Sequence, residues 1–186
     1  MKAPAGALSA AHCKTEKDAT TMRKLILAAL AASTFVAAPA MAADFSGSRV
    51  GITVGTGGDD PLDFDGTTVG VELGHDWDLG SAVVGVGAEY QTDLGDDFLD
   101  VNETALLARV GAKVGTNALV YASGGLTRIS DGVSPFDGGE DGFRLGGGVE
   151  FGLGDGGTTL KVEQRYLDYG SGANAWQTVA GIGVRF

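Results

Sequence analysis

A histidine beside an aspartate is the first feature of this sequence that could do chemistry. His75 and Asp76 are adjacent, and a nearby serine would complete the side chains of a hydrolase triad. Alternation along a strand, however, would place His75 on the opposite face from Asp76, beside Trp77. The sequence therefore separates the histidine from the carboxylate that a triad would need, and we predict no catalytic residue.

Two other motifs resemble binding sites but lack the context that binding requires. Gly85-x-Gly87 and Gly146-Gly147-Gly148 resemble part of a dinucleotide-binding loop, yet that loop needs a following helix, and none is predicted. Residues 61–72 match an EF-hand loop poorly, because its first position is a proline. We predict no cofactor and no metal site, and allow only weak divalent-cation binding by the acidic loops together.

The overall charge excludes nucleic acid as a partner. The 186-residue chain has 13 Lys and Arg residues against 24 Asp and Glu residues, a net charge of −11. Phosphate backbones are bound by basic faces, and no stripe rich in Lys or Arg occurs here. The chain also has 32 glycines, far more than an average protein, without the period of collagen.

The N-terminal region has the three-part pattern of an export signal. A basic start at 22–24 precedes an uncharged run over 25–38, and a small-residue box ends at Ala42. The run is shorter than the roughly 20 residues that a membrane-spanning helix needs. We therefore predict a signal peptide over 22–42, cleaved between Ala42 and Ala43.

Residues 1–21 precede a complete signal, so we expect them to be an upstream extension of a protein whose translation starts at Met22. The mature part is then one domain over 43–186. Cys13 lies in the removed part, which excludes disulfides and thiol chemistry from the mature domain.

From residue 48 onward, apolar and polar residues alternate with the period of two that is typical of strands. We predict eight strands, at about 48–56, 66–79, 81–92, 101–115, 118–129, 141–153, 157–168 and 174–186. No segment has helical periodicity. The register of the fifth strand stays open, because its sequence, LVYASGGLTRI, does not separate two faces.

The two faces of these strands differ in chemistry, since one is apolar and the other carries charged residues separated by glycine. The charged face comprises Arg49, Glu72, Glu89, Arg109, Lys113, Arg144, Glu150, Lys161, Glu163, Arg165 and Arg185. Turning Lys161 and Arg165 toward the middle of a bilayer would cost roughly 2–4 kcal/mol each. The charged face is therefore predicted to line the interior, as a salt-bridged plug in preference to a proton or ion path.

Short and long connections alternate along the chain, as they do in outer-membrane barrels with short periplasmic turns and longer outer loops. An even number of strands can close without a free edge in lipid. We predict an all-β fold, an eight-stranded antiparallel up-and-down transmembrane barrel. Aromatic residues at its two interfaces are predicted to be Trp77, Tyr90, Tyr166, Trp176 and Phe186.

The segments GFRLGGGVEFGL, LKVEQRYLDYG and the terminal WQTVAGIGVRF resemble those of the small outer-membrane barrels of Gram-negative bacteria, of the OmpA/OmpX and opacity type. This resemblance covers 43–186. It implies a place in the outer membrane with both termini periplasmic, contact with lipid and lipopolysaccharide, and recognition of the terminal strand by the assembly machinery. Gln164 departs from the family pattern, in which tyrosine is common, and makes one lipid-facing position polar.

We therefore expect a non-enzymatic barrel that serves envelope structure and surface presentation. Three alternatives remain open at this point: an adhesin or partner-binding surface protein, a narrow porin-like channel, and a soluble periplasmic lipid-binding barrel with its faces reversed.

Overall fold

The computed structural model describes residues 44–59, 61, 66–94, 101–131, 139–154, 157–170, 172 and 174–186. The predicted signal peptide and upstream extension lie outside these residues. Among the described residues, no helix is long and apolar enough to cross a membrane.

Eight strands form the described part of the chain. They are β1 (Gly47–Gly58), β2 (Thr67–Asp78), β3 (Ala82–Asp93), β4 (Val101–Val114), β5 (Ala118–Asp131), β6 (Glu140–Leu153), β7 (Thr158–Tyr169) and β8 (Asn174–Arg185). Each pairs antiparallel with its sequence neighbours, and β8 returns to β1 to close the barrel. The predicted fold class is confirmed, and every predicted strand boundary lies within two residues of the observed one.

Closure leaves no edge strand, so backbone groups pair around the whole barrel. The seam between β1 and β8 aligns Ile52 with Ile182, and Phe186 exchanges hydrogen bonds of 2.9 and 3.0 Å with Ser48 just beyond the ladder.

The two ends of the barrel differ in their connections. We call the turn end the one that carries the connections at 79–81, 115–117 and 154–157, and the loop end the one that carries those at 59–66, 94–100, 132–139 and 170–173. At the first turn Gly80 has a φ of 91°, a backbone angle that residues with a side chain rarely adopt. Its amide donates to the Asp78 carboxylate at 2.7 Å.

Burial is inverted relative to a soluble protein. Large apolar side chains lie on the outside, with Leu106 65% and Leu126 70% exposed, whereas Arg144 and Arg165 are 1% and 0% exposed. In a soluble protein this pattern would be the reverse. The outward face therefore suits lipid, and the charged face lines the lumen.

The structure fixes the register of β5, which the sequence left open. Leu119 and Tyr121 point into the lumen, whereas Val120 and Leu126 point outward. The contacts of Tyr121 explain this register. Its hydroxyl donates to Glu163 at 2.8 Å, and its ring lies 5.1 Å from the Arg109 guanidinium. The opposite register would place Leu126 among these charges.

Candidate functional site

The structure places the eleven charged residues predicted for the interior on the lumen side of the wall. Lys113 is at the margin, since it pairs with Asp78 at the turn end and its side chain is 24% exposed. The others meet deeper inside, in two layers and a bridge between them.

The turn-end layer is centred on two carboxylates, those of Asp76 and Glu150. Asp76 accepts hydrogen bonds from Arg49 at 3.1 Å, from Arg109 at 2.6 Å and from Arg185 at 2.7 Å. Glu150 accepts from Arg109 at 2.8 Å and from Arg185 at 2.7 Å. Three guanidinium groups therefore share two carboxylates, which leaves this layer with one excess positive charge.

The loop-end layer has the opposite balance, with three carboxylates and two guanidinium groups. Glu89 accepts from Arg144 at 2.8 Å and from Arg165 at 2.8 and 2.9 Å. Glu103 accepts from Arg144 at 3.2 Å, and Glu163 lies 3.3 Å from the Nε of Arg165. This layer carries one excess negative charge.

Lys161 and Glu72 join the two layers. The Lys161 ammonium group contacts Glu72 directly and lies 3.9 Å from Glu163. Glu72 also lies 3.8 Å from Arg49. Across the two layers and this bridge, six carboxylates meet six cations, so the network is neutral although the whole chain is strongly acidic.

Glycine on the lumen side makes room for this network. A Cβ atom at Gly74 would lie 2.7 Å from the guanidinium carbon of Arg49, and one at Gly87 would lie 2.8 Å from its Nη2 atom. Both glycines face the space that Arg49 fills. The glycine excess thus has a packing reason at these positions, as narrow barrels are filled by their side chains.

Phe45 closes the lumen at the turn end. It is 1% exposed and packs with Val83 and Leu119 in an apolar cluster. Arg185 donates to the Phe45 carbonyl at 2.9 Å, and its guanidinium lies 5.6 Å from the ring. Sequence reasoning missed Phe45, which precedes the first alternating segment.

Two hydrogen bonds from Ser46 lower the pKa of the neighbouring Asp44, just outside the barrel wall.

Three more network members were absent from the predicted set. Asp76 was considered only as the neighbour of His75, Glu103 was assigned to neither face, and Tyr121 lay in the strand of open register. Strand alternation could have identified Glu103, because Glu103 lies six residues before Arg109 on β4 and therefore on the same face of the strand.

His75 does not form a triad. Its Nδ1 atom lies 3.2 Å from the Ser48 hydroxyl, and its ring meets Trp77 edge-on at 4.9 Å. Asp76 is on the other side of the wall, where three arginines hold its carboxylate. This is the separation that strand alternation predicts, and it leaves the Ser48–His75 pair without that carboxylate.

The five aromatic residues predicted for the interfaces divide between the two ends. Trp77 and Phe186 lie at the turn end, and Tyr90, Tyr166 and Trp176 lie toward the loop end. Tyr166 packs against Trp176 with ring centroids 5.1 Å apart, and against Phe143 at 6.4 Å.

The acidic loops, to which weak divalent-cation binding was assigned as a group, are only partly described. Asp96, Asp97, Asp100 and Asp137 lie outside the described residues. Asp141 is exposed and pairs with Arg128 at 3.7 Å. Within the described ranges, no group of three or more His, Cys, Asp or Glu side chains is arranged to hold a metal ion.

A closed antiparallel barrel with an apolar exterior and a charged lumen defines the class of outer-membrane β-barrel proteins. The chain belongs to the outer membrane protein beta-barrel domain family, whose sequence profile matches residues 28–186. The resemblance noted from the sequence is thereby confirmed. No curated protein matches the chain.

Several solved structures share the fold. The N-terminal β-barrel domain of Pseudomonas aeruginosa OprF is 18% identical, with a TM-score of 0.54, covering 76% of this chain and 99% of that one. Neisserial surface protein A is 14% identical, with a TM-score of 0.50, covering 75% and 96%. The outer membrane enzyme PagL is 16% identical, with a TM-score of 0.53, covering 74% and 99%. At these identities the similarity is one of fold.

Proposed function

We propose that the chain is a non-enzymatic outer-membrane barrel with a closed lumen, which supports envelope structure and presents its acidic loops at the cell surface. The observation that carries this proposal is the double closure of the lumen. The neutral charge network fills the middle, and Phe45 covers the turn end.

The network argues against a steady pore. An ion passing through would have to displace partners from groups that are almost fully buried, such as Arg144 and Arg165. Breaking a buried pair on one side typically costs about 3–5 kcal/mol. A lumen of eight strands is also only wide enough for its own side chains. Both points support a structural role in preference to a channel.

The contrast between short turns and longer connections supports an orientation with the loop end outside the cell and both termini periplasmic. In this arrangement the signal peptide ends at Ala42, and the terminal strand is read by the outer-membrane assembly machinery. The apolar exterior supports a membrane position over the soluble lipid-binder alternative.

A tagged chain tests location and orientation. We expect the folded protein in the outer-membrane fraction, with a gel mobility in SDS that shifts on boiling. An epitope placed in the 59–66 connection should bind antibody on intact cells, whereas the same epitope at the 115–117 turn should bind only after lysis. A periplasmic protein without a mobility shift would contradict the proposal.

Conductance in planar bilayers tests the closure. We expect the wild-type barrel to show no steady single-channel steps. Phe45→Ala should also stay silent, because the Glu89–Arg165 layer still blocks the lumen, while losing about 3 kcal/mol of stability from the apolar cluster. Steady steps from the wild type would contradict the closed lumen, and steps only from Phe45→Ala would assign the closure to Phe45.

The absence of enzymatic activity is tested on lipid A. His75 and Ser48 lie within hydrogen-bond distance of each other, as the histidine and serine of a hydrolase do. Cells that express the wild type or His75→Ala should have identical lipid A by mass spectrometry. A change that only the wild type produces would show an enzyme.

A further inference from the structure

The lumen widens into a small cavity at the loop end, beyond the layer in which Glu89 meets Arg165. We call this cavity the vestibule, and its volume is about 270 Å³. That is just under the roughly 300–1,000 Å³ of typical small-molecule sites. The residues that give it its chemistry are Gln91, Asp93, Glu103, Ile129, Leu167 and Tyr169.

The vestibule has a polar side and an apolar side. On the polar side, Gln91 of β3 faces Glu103 of β4, and Asp93 lies two residues nearer the loop end, about 7 Å along the strand. Strand β7 lies opposite β3 in the closed barrel. The apolar side is formed by β5 and β7, with Ile129, Leu167 and the ring of Tyr169.

Gln91 offers the vestibule a hydrogen-bond acceptor that has no partner. The residue is 5% exposed, and its Nε2 atom donates to Glu103 at 2.5 Å and to Gln177 at 3.5 Å. The contact with a carboxylate identifies the nitrogen end of the amide, because a carboxylate only accepts. The Oε1 atom accepts from no described residue and is still accessible to solvent. A donor held in the vestibule would complete this amide.

Glu103 supplies charge to the same side. Its carboxylate already accepts hydrogen bonds from Gln91, from Thr127 at 2.6 Å and from Arg144 at 3.2 Å. Arg144 is shared with Glu89, to which it donates at 2.8 Å. The excess negative charge of the loop-end layer is therefore next to the vestibule.

No described residue that lines the vestibule is a lysine or an arginine. Arg128, at the same end of the barrel, lies on the outward face of β5 and pairs with Asp141. Asp93 adds a second carboxylate at the mouth. Because a cleft with apolar walls concentrates the field of such charges, the vestibule favours a cation.

We propose that the vestibule binds a small primary alkylammonium ion. The ammonium group donates to the Oε1 atom of Gln91 and lies beside the carboxylates of Asp93 and Glu103, while its alkyl chain packs against Leu167 and Tyr169. An ammonium group has three donors and no acceptor, which matches the acceptors on the polar side. This inference goes beyond the proposed function and requires the closed lumen, but no particular orientation in the membrane.

Two other kinds of ligand fit the vestibule less well. An inorganic cation would leave the apolar side without a contact, and within the described ranges no group of three or more His, Cys, Asp or Glu side chains could hold a metal ion. An anion would be repelled by Asp93 and Glu103.

The isoleucines of the chain provide a reporter for this site. Beyond the predicted signal peptide there are three, Ile52, Ile129 and Ile182. Ile129 lines the vestibule, whereas Ile52 and Ile182 are on the outer face, 58% and 46% exposed. Methyl-labelled isoleucine therefore gives one NMR signal from the site and two that detect nonspecific partitioning into lipid.

The folded barrel in phosphatidylcholine nanodiscs is titrated with pentylamine, pentan-1-ol or pentanoate, which share one chain length and differ in charge. We expect pentylamine to shift the Ile129 signal saturably, with a Kd on the order of 1 mM for so small a ligand. The alcohol and the carboxylate should bind at least about tenfold more weakly, because neither makes a charge-assisted hydrogen bond to these acceptors.

Three variants change the site, and a fourth is the control. Gln91→Met, which removes the acceptor, and Asp93→Asn, which removes a carboxylate, should each weaken pentylamine binding about fivefold. Ala175→Leu fills the vestibule from β8 without changing its charge and should abolish the Ile129 response. Asp78→Asn makes the same change of charge at the turn end and should bind as the wild type does. The mobility shift on boiling shows that each variant is folded.

Equal affinity for the three compounds would overturn the proposal, since it would show an apolar cavity without charge recognition. Unchanged binding in both Gln91→Met and Asp93→Asn, or shifts of Ile52 and Ile182 as large as that of Ile129, would also overturn it. Displacement of pentylamine by an equal concentration of calcium chloride would assign the vestibule to an inorganic cation instead.

The conductance experiment separates this inference from the proposed function. Steady channels in the wild type would remove the closed lumen, and with it the vestibule as a closed site. A silent barrel whose Ile129 signal does not respond to pentylamine would remove the binding site alone.

Discussion

The lumen and the outer face of this barrel are built from the same alternating strands, yet they hold side chains in opposite ways. In the lumen Arg165 is fully buried and faces Glu89 and Glu163. On the outer face Leu126 is the most exposed of the large apolar residues within the described ranges, apart from Phe186. The lumen is held by specific pairing among charges, and the outer face by the nonspecific affinity of apolar side chains for lipid.

The two faces also use glycine differently. On the lumen side, Gly74 and Gly87 are needed because Arg49 occupies the space that a side chain would fill. On the outer face, Gly147 has no such neighbour, and the space above it is open. Glycine therefore allows close packing in one region and forms a groove in the other.

The largest effect that this comparison predicts is in the lumen. Arg165→Met should destabilise the barrel by about 3–5 kcal/mol, because it leaves Glu89 and Glu163 buried without one of their cations. Urea unfolding in phosphatidylcholine vesicles, followed by the gel mobility shift, measures the change. Arg165→Lys keeps the positive charge but loses the two-pronged contact, so its free energy of unfolding should lie between those of the wild type and Arg165→Met. A loss below about 1 kcal/mol would show that the network does not hold the barrel together.

An intermediate effect is expected on the outer face. Leu106 is 65% exposed near the middle of β4, so Leu106→Arg should cost roughly 2–4 kcal/mol by placing a charge in lipid. The same unfolding assay measures it, with Leu106→Met as the volume-matched control. If Leu106→Arg is as stable as the wild type, this face is not in lipid, and the assignment of the two faces is wrong.

The smallest effect is expected where a charge pair lies at the loop end. Arg128 and Asp141 are 3.7 Å apart, with 44% and 79% of their side chains exposed. Arg128→Met should change stability by less than about 1 kcal/mol in the unfolding assay, because exposed pairs are screened by water. An effect as large as that of Arg165→Met would mean that burial is not what makes the lumen pairs matter.

Most of the fold could be predicted because apolar and polar residues alternate along the chain. The eight strands and the two faces of β2, β4, β6 and β7 follow from the period of two, and the boundaries agree closely. The fifth strand could not be oriented in this way, since both of its faces contain apolar residues. Its register depends on Tyr121 reaching Glu163, a residue 42 positions away in the chain.

The sequence predicts which residues line the candidate site, but it does not predict which of them pair with each other. Alternation places Glu72, Glu89 and Arg109 on one face, without indicating which of them meet. Asp76 gathers arginines from β1, β4 and β8, and Phe45 packs with residues of β3 and β5. The unpaired acceptor of Gln91 likewise becomes visible only beside Glu103, in the vestibule that both residues line.

The sequence by itself determined the class of fold and which face is charged, because a strand sends successive side chains to opposite sides wherever it lies. Tertiary structure alone decided the pairing of charges in the lumen, the closure by Phe45 and the vestibule at Gln91. These depend on closure and stagger, which bring residues of β1 to those of β8 and set the height at which each strand meets its neighbours.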